Sequence, residues 1–503
     1  MKGLLSTGAS RAWLGVAFAG LVVALAVVAL GLISRLGSGQ HVVDKAKPAF
    51  SDTRATGTRA GVELLSQYVD VLDPLLTKRG GGDRDLATLI GLMRHKMGLS
   101  GAQVRKILRR EAPHTDALMH ALPLNGISHE LSRLTSYLAI TMGMTDEQIG
   151  AMLEQSFPRI SAALTALSNT SDAWYDVPGI DGLTRVSQGK PVRTVPGLRT
   201  YYRDDLVPPI VARRADVQRL AGSGGIGYIS YLALIAGIGL LAFGLMRSRS
   251  SAGLVPGRLS WSVVVGVGVL FILLVVAAQY FARFSGAQRT VTALEPVVTQ
   301  TRARGALNGA DTLHEAIALG DPLMTSGGGA ASEGPYLYRL IAQRTGQSSS
   351  LVRREVSRRA PRLTALLDAA PLSAVAAESE HLRAYLSQVL HLPADALSAT
   401  LRERMPGLSQ VLLTLPDVTA GWTSIGPAGM TLFDGVTPVR SMTDFDDYLR
   451  QDLLPVLASN GDDLRSFAGG WPPLGDLAPA LLLGGLVLML YGGLMMQFVA
   501  RRY

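Results

Sequence analysis

At 503 residues the chain is long enough for several domains, and a hydrophobic content of 48% with a mean hydropathy of +0.25 separates it from an ordinary soluble protein. The absence of cysteine excludes disulfides, thiolate metal sites and cysteine nucleophiles. The net charge of +9 does not point to nucleic acid, because the basic residues are spread through the chain and mixed with acids instead of forming one footprint.

In chain order, residues 1–12 form a basic tail with Lys2 and Arg11, followed by an uncharged apolar run at 13–33. That run exceeds the roughly 7–15 residues of a secretory-signal core and reads as an uncleaved membrane anchor. A polar region at 34–225 leads to a second apolar run at 226–246, and a short connection at 247–260 leads to a third at 261–281. A second polar region at 282–476, a fourth run at 477–499 and a tail at 500–503 complete the chain. Each run has 21 to 23 residues without a charge, and about 20 suffice to cross the hydrocarbon core. The short segments carry Lys2, Arg11, Arg247, Arg249, Arg258, Arg501 and Arg502 but no acid. The positive-inside bias of short loops therefore places both termini in the cytoplasm and both large polar regions outside it. Preference for Arg over Lys, with abundant Ala and Gly, points to a bacterium and hence to the plasma (inner) membrane.

Within the polar regions the periodicity is helical. Residues 40–77 extend the first span with Val42, Val43, Val62, Leu65, Val69 and Leu72 at spacings of three and four. Asp73-Pro74 and Asp321-Pro322 lead to the glycine triplets 80–82 and 327–329, read as turns or flexible connectors. Ser100-x-x-Gln103 and Thr145-x-x-Gln148 are capping-box patterns at helix starts, and Pro113 and Pro158 break the helices that follow. Asp434-Gly435 before Pro438, matched by Gly189 before Pro191, predicts a small β-hairpin in each region. Residues 201–220 and 448–467 are expected to be helices that return the chain to the membrane.

The pattern is written twice. Trp13, Pro48, Pro74, Pro113, Pro123, Tyr137, Pro158 and Trp174 recur 248 residues later, and Pro191, Arg193, Tyr201, Arg203, Asp205 and Pro208 recur at 247. A 45-residue sub-repeat, Pro113 to Pro158 and Pro361 to Pro406, lies inside each copy. A duplicated unit decides architecture first. The expected fold is an all-α integral membrane protein with four transmembrane helices. Its two homologous, mainly helical extracytoplasmic domains form a parallel tandem repeat.

No Walker A, G-x-S-x-G or H-E-x-x-H signature is present. Gly222 to Gly227 fits G-x-G-x-x-G literally, but it opens a membrane span instead of a βαβ unit. His114, Asp116 and His120 do not make a compact ligand set, so no metal or other cofactor is expected. The main polar constellation is Arg193, Tyr201, Arg203 and Asp205, with its counterpart Arg440, Tyr448, Arg450 and Asp452. It reads as an Arg–Asp lock between hairpin and returning helix, or as an anion contact. Glu130 and Glu378 read as helix surface. The spans hold no ionisable residue, unlike ion-coupled transporters, but carry small residues at packing spacing: Gly20, Ala233, Gly237, Gly268, Ala480 and Gly484.

Together these features predict a non-enzymatic inner-membrane protein that presents paired outer domains. It would be a scaffold or accessory subunit of an envelope assembly or lipid-handling complex. Its partners are the lipid bilayer and an envelope or membrane protein, with a homo-oligomer compatible and nucleic acid excluded. The alternatives are a transporter or channel along the pseudo-two-fold axis, and a membrane-bound enzyme using Asp73, Glu130 and Asp205.

Overall fold

The structure, a computed structural model, describes residues 2–222, 225–250, 258–277, 279–426 and 429–501. Two positions of the G-x-G-x-x-G stretch, 223 and 224, and residues 251–257 of the 247–260 connection lie outside the described residues. Among the described residues all regular structure is helical and no strand is formed. Four helices are long and apolar enough to cross a membrane: Arg11–Ala29, Tyr228–Arg249, Leu259–Ala277 and Leu474–Phe498.

Two apolar runs outlast their helices. The first helix stops before Gly31, whose φ of 58° is left-handed, and the third stops before Gln279 at φ 53°. The expected continuation of the first span through residue 77 is therefore broken twice. A helix at Leu32–Ala46 ends just before Pro48, and a new one runs Asp52–Leu76. Proline has no N–H to continue the helical ladder, which accounts for the second break.

The chain divides into two compact units, each drawn from both polar regions. One contains Met1–Ala55, Pro209–Ala303 and Val456–Tyr503; the other contains Thr56–Pro208 and Arg304–Pro455. In the first unit, the first span packs on the second and the third on the fourth. A Cβ at Gly20 would stand 2.6 Å from the Gly237 carbonyl, and one at Gly268 would stand 2.6 Å from that of Gly485. Glycine is what lets these backbones touch. The expected packing positions Ala480 and Gly484 need correction. Ala480 is exposed, a Cβ on Gly484 would meet open space, and the contact belongs to Gly485. A helix turns about 100° per residue, so one position moves a side chain to another face.

Trp13 stacks on Trp261 at 3.9 Å with the rings 13° from parallel, joining the two pairs of spans. Ala233 is buried beside them, whereas Phe18, Ile235, Leu270 and Leu483 are exposed on the outer faces. Outside the spans, Arg35 is 5% exposed and donates to the carbonyls of Phe467 (3.1 Å) and Pro472 (2.7 Å).

The second unit is a helical array whose core mixes both regions: Leu89, Met93, Val104 and Leu108 pack with Leu382, Leu386, Leu401 and Leu412. Ser100–Gln103 and Thr145–Gln148 form complete capping boxes. Tyr68 donates to the carbonyl of Ala316, 248 positions away, at 2.5 Å. Tyr201–Leu206 and Tyr448–Leu453 are π-helical turns, each followed within two residues by Pro208 or Pro455. A proline clashes with the carbonyl four residues back, and the wider turn relieves that crowding.

The expected hairpins are reduced to isolated antiparallel bridges, Thr184 with Pro191 and Thr431 with Pro438. Proline has no N–H to extend a ladder. In the second copy Asp434 accepts from the backbone N–H of Val436 (2.8 Å) and Thr437 (2.9 Å), forming a side-chain turn.

Candidate functional site

The constellation singled out from sequence lies in the second unit. Asp205 is buried and accepts from Arg185 Nε at 2.5 Å and from the Val186 N–H at 3.1 Å. Arg193 is exposed, and only its backbone takes part, its carbonyl accepting from Val177 N–H at 2.9 Å. In the second copy Leu432 stands where Arg185 does, Asp452 accepts from Phe433 N–H at 2.6 Å, and the carbonyl of exposed Arg440 accepts from Ile425 N–H at 2.7 Å. Tyr201 and Tyr448 are fully buried, and the latter accepts from Thr58 at 3.1 Å. Arg203 binds Asp204 at 2.9 Å, while Arg450 binds Asp311 at 2.9 Å. The bridge is thus tied to the π-turn through Arg185, a residue the repeat pattern passed over because Leu432 replaces it.

A second set of side chains escaped the sequence reading. Four helices begin with proline, at Pro113, Pro158, Pro361 and Pro406, and the residues at their cap positions are Ala112, Phe157, Ala360 and Met405. None of these side chains carries a capping oxygen and none makes a cap bond, so the free N–H groups of the first turn need an acceptor from elsewhere. Each receives a carboxylate from the other half of the chain. Glu378 accepts from the N–H groups of His114 (3.1 Å) and Thr115 (2.8 Å), and Glu130 accepts from those of Arg362 (2.8 Å) and Leu363 (3.3 Å). Glu333 accepts from Arg159 (3.2 Å) and Ile160 (2.8 Å), and Asp85 accepts from Leu408 (3.0 Å). Glu130 and Glu378 are therefore not surface residues. Burial pushes the Glu378 carboxyl up, but the bonds from Thr115 and His114 outweigh it and hold the group below its ordinary range. The readable signal was four proline-started helices without a capping side chain.

Beside Glu130 opens a cleft of about 670 Å³. Lys78 and Arg79 project from the single turn Lys78–Gly80, and His129 and Arg133 from the helix Gly126–Met142. Arg362 closes the third side, held by Glu130 Oε1 (3.2 Å) and the Leu122 carbonyl (3.3 Å). A Cβ on Gly126 would come within 2.8 Å of the Arg362 guanidinium, so a side chain there would displace it. Arg79 lies 5.1 Å above the Tyr175 ring, whose hydroxyl donates to Asp73 and accepts from Thr77, both at 3.2 Å. Burial is the first reason the Tyr175 phenol titrates above its ordinary value. Among the described residues, Lys78, His129 and Arg133 take part in no side-chain hydrogen bond or ion pair. Four permanent cations thus face one carboxylate, which is already engaged.

Of the carboxylates considered for acid–base chemistry, Asp73 accepts from Trp174 Nε1 at 2.6 Å, Glu130 caps the Pro361 helix, and Asp205 is bound to Arg185. His120 Nδ1 stands 2.7 Å from the Asp116 carbonyl and His114 Nδ1 stands 2.7 Å from Glu378. Among the described residues no three His, Cys, Asp or Glu side chains gather to hold a metal ion.

The chain matches no family model, and no curated protein or solved structure is similar to it.

Proposed function

We propose that this chain is a non-enzymatic, membrane-anchored binding platform, acting as a scaffold or accessory subunit of an envelope assembly or lipid-handling complex in a bacterial inner membrane. The observation that carries the reading is the exchange of carboxylates between halves. Asp85, Glu130, Glu333 and Glu378 complete helices of the opposite half, so the two copies interlock within the second unit. That exchange, and the meeting of Trp13 with Trp261 and of Tyr68 with Ala316, fit a parallel tandem repeat about a pseudo-two-fold axis. The basic short segments support cytoplasmic termini.

Asp73, Glu130 and Asp205 are engaged as structural acceptors, which favours a binding role over catalysis. Stacked tryptophans between the two pairs of spans favour a packed bundle over a solute path along that axis. The platform's partners are then the bilayer and another envelope protein, or a second copy of the chain.

The test is purification of the full-length chain from its native membrane in mild detergent, followed by identification of bound proteins and reconstitution of the chain alone in liposomes. Recovery of a stoichiometric partner supports the reading. A solitary chain that moves solute across the liposome membrane overturns it.

A further inference from the structure

We propose that the cleft beside Glu130 is a binding site for a multiply charged, phosphate-bearing anion, either a soluble phosphate ester or a lipid phosphate headgroup. The inference deepens the binding-platform reading and rests on it.

The repeated fold does not depend on the cations of the cleft. Shifted by 248 positions, Lys78, Arg79, His129 and Arg133 correspond to Ser326, Gly327, Ala377 and His381, and Arg362 corresponds to His114. Glu130, by contrast, is preserved as Glu378 and makes the equivalent cap. The same helix start is thus built elsewhere in the molecule with none of these five positions held by arginine or lysine, and the cleft's cations belong to one copy alone.

Like charges held together around a cavity repel, which costs stability unless an anion offsets it. Several basic residues elsewhere are neutralised locally: Arg353 binds Asp368 at 2.7 Å, Arg358 binds Glu355 at 2.7 Å and Arg109 binds Asp116 at 3.2 Å. Lys78 and Arg133 have no such partner. Two cleft groups are also held in place before any ligand arrives: Arg362 by Glu130 and the Leu122 carbonyl, and Arg79 against the hydrogen-bonded Tyr175 ring. A guanidinium matches phosphate oxygens in a planar fork, and a lysine adds a point charge. A single carboxylate is satisfied by one arginine, whereas four separated cations suit a phosphate with two negative charges. At about 670 Å³ the cleft has room for the group that carries it.

The test is calorimetric titration of the full-length chain in neutral detergent with two probes, glycerol 3-phosphate and dihexanoyl phosphatidic acid. Binding is expected to weaken about tenfold in Lys78→Gln and in Arg133→Gln, as one charge-assisted contact is lost. Both residues are exposed, so folding is preserved, and Arg354→Gln, a basic residue outside the cleft, leaves binding unchanged. Tighter binding of glycerol 3-phosphate identifies the ligand as a soluble ester, and tighter binding of the lipid identifies it as a headgroup. Absence of binding by both probes, or binding equal to wild type in both cleft variants, overturns the proposal. If the partner is still recovered when the probes fail, the platform reading stands without this ligand. If the probes bind and no partner is recovered, the site stands and the scaffold role falls.

Discussion

Glu130 and Glu378, 248 positions apart, bind the same structural element in opposite directions: the first carboxylate caps the Pro361 helix and the second caps the Pro113 helix. Each half thereby holds the acceptor that the other half's helix lacks. Replacing either carboxylate leaves partly buried N–H groups without an acceptor, at about 1.5–3 kcal/mol for a bond to a charged group. Glu130→Ala and Glu378→Ala are each expected to lower the thermal unfolding midpoint in detergent. Glu154→Ala, at an exposed position, is expected to lie within about 0.5 kcal/mol of wild type.

The exchange also makes the halves interdependent. A gene divided within the 251–257 connection is expected to yield protease-resistant protein only when both fragments are expressed together. Resistance of residues 1–250 expressed alone would contradict this.

Membrane packing offers a one-residue contrast. Gly485→Leu drives a side chain into the Gly268 backbone, and overpacking of this kind costs about 1–3 kcal/mol. Gly484→Leu points into open space and is expected to leave the unfolding midpoint nearly unchanged. Equal effects of the two changes would place the contact elsewhere.

The bridge lock distinguishes two arginines. Arg185→Ala removes the side-chain donor to a buried carboxylate, with an expected loss of about 1.5–3 kcal/mol. Arg193→Ala, at an exposed side chain, is expected to stay within about 0.5 kcal/mol of wild type. Denaturant titration of the two variants measures the difference, and a larger effect at Arg193 would refute the assignment.

His314 makes stability depend on pH. Its Nδ1 lies 2.6 Å from Asp446, and that hydrogen bond raises the imidazole above its ordinary value of 6.5. A raised histidine contributes stability that is complete below the unfolded value and fades as pH rises through the folded one. The gap in midpoint between wild type and His314→Gln is therefore expected to be widest below pH 6.5 and to close above it. The side chain is 41% exposed, so the gap is modest. A gap that widens as pH rises would reverse the assignment.

Length and hydropathy alone determined the four helices long and apolar enough to cross a membrane, because that is a local requirement on about 20 consecutive residues. Spacing alone also determined the two capping boxes and the helix breaks at Pro113 and Pro158, since a cap involves residues three apart and a proline interrupts its own helix. Tertiary packing decided which carboxylate caps which helix, that Arg185 and not Arg193 reaches Asp205, and that Gly485 and not Gly484 meets Gly268. It also brought Lys78, Arg133 and Arg362 around one cleft. Sequence spacing describes a residue's own helix, whereas these partners are selected by which faces meet across more than 200 intervening residues in most of these contacts, or across a single helical step at Gly485.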